Sequence, residues 1–114
     1  MTIQKIQELL HADILFGDEL LDMDAEFAFS ADMMSDVLAF AEHCSVLITG
    51  LCNSQVVRTA EMLDIVCVIF VHGKMPDKHI LAMAREKKMV ILSTAHFMFT
   101  TCGILYEQGL RGGI

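Results

Sequence analysis

One run of seven residues without a polar side chain, Ile65-Val66-Cys67-Val68-Ile69-Phe70-Val71, constrains this chain more than any other stretch. Its β-branched content marks a strand. The lack of alternation marks a strand covered on both faces, as in a parallel sheet between helical layers. In the loop that follows, His72-Gly73-Lys74-Met75-Pro76-Asp77, Gly73 is free to take positive φ, Pro76 suits a helix start and Asp77 can cap the next helix. From Ile80 onward, Leu81, Met83 and Ala84 form a narrow apolar face, while Lys78, Arg85, Glu86 and Lys87 stay in water. Met89-Val90-Ile91-Leu92 then returns to the sheet, so the stretch reads as a right-handed βαβ unit. Ligands of such folds bind beyond the carboxyl ends of the strands, a rim that here comprises residues 72–76 and 93–96.

The same grammar repeats upstream. Ser45-Val46-Leu47-Ile48-Thr49 reads as a strand closed by Gly50, and Asn53 or Ser54 caps a helix with Val56, Val57, Ala60 and Leu63 inward. At the start, Thr2 caps a helix of Ile3, Ile6, Leu9 and Leu10 that ends near His11. Ile14-Leu15-Phe16 and Phe27-Ala28-Phe29 form an N-terminal pair of short strands, with residues 19–24 as loop. Ser30 or Asp32 caps a helix striped by Met33, Met34, Val37, Leu38 and Phe40 that stops near His43. Thr94 caps a last helix of Phe97, Met98, Cys102, Leu105 and Tyr106 running to Gly109, and Gly112-Gly113 has little reason to be ordered. The expected fold class is α/β: residues 1–114 as a single domain, a three-layer α/β/α sandwich with a mostly parallel sheet.

Composition narrows the function classes. Hydrophobic residues make up 54% of the chain and mean hydropathy is +0.52, a surplus beyond what the core of a small domain needs. The longest apolar run falls far short of the ~20 residues of a spanning helix, so no membrane partner is expected. The surplus instead predicts a partner surface, most simply a two-fold homodimer. A net charge of −7 and scattered Lys and Arg argue against a nucleic-acid partner. Four cysteines without a C-x-x-C pair, and a helix pattern directly after Met1, give the expectation of reduced thiols in a cytoplasmic protein. Cys44, Cys67 and Cys102 read as small hydrophobes, whereas Cys52 falls on a loop.

No two of the five histidines stand at i, i+4, so no metal site is expected. The chain also lacks a G-x-S-x-G elbow, a phosphate-binding loop and a dinucleotide fingerprint, and no catalytic set is assigned. The candidate ligand-binding residues are those at strand ends and helix starts: Thr49, Cys52, Asn53, Ser54, His72, Gly73, Lys74 and Thr94. Their hydroxyls and amide can hold an anion or only satisfy helix donors, and His72 can donate to a phosphate or to its own loop.

Taken together, Leu47-Ile48-Thr49-Gly50, Cys52-Asn53, Ala60, Val71-His72-Gly73, Met75-Pro76-Asp77 and Ser93-Thr94 resemble the DRTGG domain. That module is named for an Asp-Arg pair followed at a distance by Thr-Gly-Gly. Leu15-Phe16-Gly17-Asp18 and Ser30-Ala31-Asp32-Met33 look like the family's opening part, so the likeness covers nearly the whole chain. The Asp-Arg pair falls on Cys52-Asn53 and the Thr-Gly-Gly on Val71-His72-Gly73, of which only Gly73 keeps the motif. The resemblance implies a fold like the N-terminal domain of HPr kinase/phosphorylase, without kinase activity. It further implies the regulatory or dimerising role that such modules have beside CBS domains in pyrophosphatases and in phosphotransacetylases. The function expected is a non-catalytic regulatory module that dimerises and senses a small ligand, with an adenine nucleotide as the ligand class and no other cofactor, or docks on a partner enzyme. The alternatives are a purely structural interaction protein and a small phosphoryl- or acyl-transfer enzyme around His72.

Overall fold

The heart of the apolar run forms the middle of the sheet. In a computed structural model describing residues 1–113, strand β4 (Cys67–Phe70) pairs in parallel with β3 (Val46–Thr49) on one side and β5 (Val90–Ser93) on the other. Every residue of these three strands is buried, the condition an unalternating apolar run demands. β2 (Ala28–Ser30) adds in parallel to β3, and β1 (Asp13–Phe16) adds antiparallel to β5, giving the order β1-β5-β4-β3-β2. The fold class is thus α/β, with a five-stranded sheet that is parallel except for one antiparallel pair. The two short N-terminal strands do not form a pair, contrary to expectation. Each satisfies its backbone against a buried strand at an opposite edge of the sheet.

From β2 to β5 the chain steps across the sheet in one direction, so crossovers of one hand place their helices on one face. Helices α2 (Met34–Phe40), α3 (Ser54–Met62) and α4 (Lys78–Glu86) pack there on Leu47, Val68, Phe70 and Ile91. Helices α1 (Ile3–Leu10) and α5 (Met98–Glu107) cover Val46, Ile48, Cys67, Ile69 and Leu92 on the other face. A bulge between Ile14 and Phe16 breaks the alternation of β1, so that Leu15 and Phe16 both pack on the α2–α4 side. Among the described residues no helix is long and apolar enough to cross a membrane. The apolar surplus lies partly on the surface, where Met33, Leu38, Phe40, Met62, Met75, Phe97 and Phe99 are exposed.

Three local expectations need correction. Residues 19–24 are not all loop, because Asp18–Leu20 form a 3-10 turn. Neither Ser30 nor Asp32 caps α2, whose N-cap is Met33 without a side-chain bond, and Phe97, not Thr94, is the N-cap of α5. The chain after α5 is also held, since the Ala28 N–H donates to the Arg111 carbonyl at 2.9 Å and Gly113 lies against the Cys44 thiol. That segment supplies the backbone acceptor which the exposed edge of β2 would otherwise lack.

Burial also sets thiol chemistry. Cys67 has no exposed surface, and desolvation pushes its thiol far above its ordinary value of 9.0. The unfolded chain therefore releases a proton above that pH which the folded chain retains, and stability falls as pH rises beyond it. This thiol is expected to contribute a decline of about 1.4 kcal/mol per pH unit above about pH 9. Urea titrations across that range check it. Cys67→Ala should remove that part of the slope, and an unaltered slope would refute the assignment.

Candidate functional site

The parallel register sets Thr49, Phe70 and Ser93 in one row at the carboxyl edge of the sheet. Beyond that row the loops tie to one another. Asp32, just past β2, turns from its own helix to the neighbouring loop, where its Oδ1 accepts from the Gly50 N–H at 2.7 Å and the Thr49 hydroxyl at 3.3 Å. From the opposite side Lys74 donates its Nζ to the Gly50 carbonyl at 2.7 Å. One peptide segment is thus held by an acid at its N–H and a cation at its C=O, both charge-assisted bonds. A Cβ on Gly50 would stand 3.3 Å from Asp32 Oδ1 and 3.4 Å from His72 Cε1, so the absence of a side chain lets Asp32 and His72 approach closely here.

The loop after β4 is fastened to the loop after β5. His72 and Gly73 both take positive φ, at 65° and 68°. Their N–H groups donate to the carbonyls of His96 at 2.9 Å and Thr94 at 2.8 Å, and the Ser93 hydroxyl donates to the Lys74 carbonyl at 2.8 Å. This clasp lays the His72 imidazole on the Phe97 ring, with centroids 4.3 Å apart and planes tilted by 32°. Phe97 is nevertheless 67% exposed.

The structure gathers Thr49, Cys52, His72, Gly73 and Lys74 around this rim. Thr49 is buried, and its oxygen accepts from the Leu51 N–H as well as donating to Asp32. Cys52 is half-buried, and desolvation raises its thiol, with the charge of Lys74 opposing and that of Asp77 adding to the rise. A thiol held protonated is a poor nucleophile. Asn53 is spent on its own helix, its side-chain oxygen accepting from the Gln55 N–H at 2.9 Å, and Ser54 opens α3. Thr94 points away from the rim, since its hydroxyl donates to the Leu10 carbonyl at 3.1 Å and only 1% of the residue is exposed.

Two groups central to the rim escaped the sequence reading of the site. Asp32 looked like a local helix cap, and only its place at the carboxyl end of a parallel strand could have signalled otherwise. Phe97 was absorbed into the apolar stripe of α5, although an aromatic residue at an N-cap leaves the helix donors without a side-chain acceptor. Asn53, His72, Gly73 and Lys74 are exposed at the rim. A cavity of about 140 Å³ between β2, α5 and Arg111 is lined by none of the eight candidate residues, and it is too small for a nucleotide. Among the described residues no three His, Cys, Asp or Glu side chains converge as a metal cage.

Comparisons with known proteins place this architecture. Among solved structures the chain is similar to the CBS and DRTGG domains of the regulatory region of the Clostridium perfringens pyrophosphatase, crystallised with its activator diadenosine tetraphosphate. The TM-score is 0.75 at 19% identity, over 91% of this chain and 45% of that one, so the chain spans less than half of that structure and the likeness is one of fold. No curated protein sequence matches. The family model of the DRTGG domain matches residues 5–107, from within α1 to the end of α5. On a match of that extent, the chain belongs to the DRTGG domain family.

Proposed function

We propose that this domain is a non-catalytic regulatory module that senses an adenine nucleotide at its carboxyl rim. The observation that carries the reading is how the rim uses its groups. Asp32 and Lys74 are both committed to Gly50, and burial raises the Cys52 thiol, so neither charged group nor the thiol is poised to react. Phe97, stacked on His72 and largely exposed, has by contrast no evident task within the fold. The structural neighbour supports a regulatory role, being a regulatory region that binds a dinucleotide activator. Exposed Leu38 and Phe40 on α2 support the accompanying proposal of a homodimer.

The test is a thermal melt with ATP, ADP, AMP and diadenosine tetraphosphate, with light scattering on the same samples. A ligand at a hundred times its Kd adds about 2.7 kcal/mol, which for a domain of this size raises Tm by about 10 °C. If none of the four shifts the melt, nucleotide sensing is wrong. A monomer at micromolar concentration, with and without ligand, would dispose of the dimer.

A further inference from the structure

We propose that the rim recognises the flat face of the ligand's base, with Phe97 as the stacking residue, and that the phosphates contribute little. This rests on the nucleotide-sensing reading above. Phe97 offers one ring face to solvent while His72 backs it at 4.3 Å. Its position is set from beneath: the His72 and Gly73 N–H groups clasp the loop before it, and Thr94 anchors that loop to the Leu10 carbonyl. A ring already fixed in its bound position loses little entropy on binding, which favours stacking.

The same network disfavours phosphate. The N–H groups of Gly50, Leu51, His72, Gly73, Lys74 and His96 all donate within the fold, to Asp32, Thr49, His96, Thr94, Val71 and Thr94 respectively. Lys74 already gives its ammonium to the Gly50 carbonyl, and the Asp32 carboxylate stands beside it. An anion arriving at these loops meets spent donors and a negative neighbour, on a chain of net charge −7, which leaves it only the uncapped start of α5. A neutral aromatic ring meets neither obstacle.

Calorimetry on the full chain separates the possibilities, using adenosine, AMP, ATP and sodium tripolyphosphate at low and moderate salt. Adenosine and ATP should bind within about threefold of one another with little salt dependence, and tripolyphosphate should not bind. Phe97→Ala should weaken every nucleotide by roughly 5- to 100-fold, the usual worth of one stacked base, while Phe97→Trp should keep binding. Because Phe97 is exposed, both variants should fold, and circular dichroism checks this. ATP binding at least about tenfold tighter than adenosine and steeply salt-dependent would overturn base recognition, as would full affinity in Phe97→Ala. Either result leaves nucleotide sensing standing, and the first points to the uncapped start of α5 as the phosphate's seat. Absence of binding by every nucleotide would sink both.

Discussion

Gly17→Ala is expected to destabilise the fold by about 3 kcal/mol or more, through two costs that add at one atom. The residue leaves β1 with φ 98° and ψ 24°, where an L side chain carries strain of about 1–2 kcal/mol. A Cβ there would also lie 2.9 Å from Val90 Cγ2 and 3.0 Å from Val90 Cα. Val90 cannot yield, being fully buried in β5 and paired in register with Cys67 of β4. Forcing it aside costs about another 1–3 kcal/mol. Gly73→Ala supplies the control. Its φ of 68° imposes the backbone strain, but nothing lies within 4 Å of the added carbon, so about 1 kcal/mol should be lost. Urea unfolding with an unchanged m-value measures both. Equal losses for the two variants would show that the contact with Val90 carries no energy.

What the sequence makes legible follows the physics of each feature. The strand runs 45–49, 65–71 and 89–92 match β3, β4 and β5 closely, because burial on both faces selects mostly apolar residues and leaves no ambiguity of period. Asn53 and Asp77 cap α3 and α4 as expected, because a cap is a local bond between residues two or three apart. Partner choice for β1 and β2 was not legible. Strands of three or four residues carry too short a pattern to specify direction or neighbour, and both edges of the central sheet were open to them. Asp32 and Thr94 were misplaced for a related reason. Each had a local helix terminus available, yet each bonds a group brought near only by the tertiary fold, Gly50 in one case and Leu10 in the other. Local chemistry lists the bonds such a side chain can make, and packing selects among them. The rim is therefore the least legible part of the chain, since it consists of loop-to-loop bonds with no periodic signature.

Phe70→Ala should cost about 4 kcal/mol, and its contrast with Phe97→Ala divides the rim into a floor and a face. Phe70 has no exposed surface, and it packs in the core beneath α3 and α4 with Val56, Val57 and Ile80. It also aligns with Thr49 and Ser93 in the last row of the sheet, and its carbonyl accepts from the Thr94 N–H at 3.0 Å. Truncation leaves a ring-sized void that flanking strands cannot close without breaking their ladders, so most of the cavity cost should persist. Phe70→Leu keeps most of the volume and should lose only about 1–1.5 kcal/mol. On the other side of the same loops, Phe97→Ala removes a ring that is 67% exposed, and its stability should stay within about 0.5 kcal/mol of the native chain. Two phenylalanines near one rim would then differ by several kcal/mol in folding, while only the exposed one belongs to the proposed ligand contact. Urea unfolding of the three variants decides the matter. A loss below about 1.5 kcal/mol for Phe70→Ala would mean that the core collapses into the void, and that the loops above it have no rigid support.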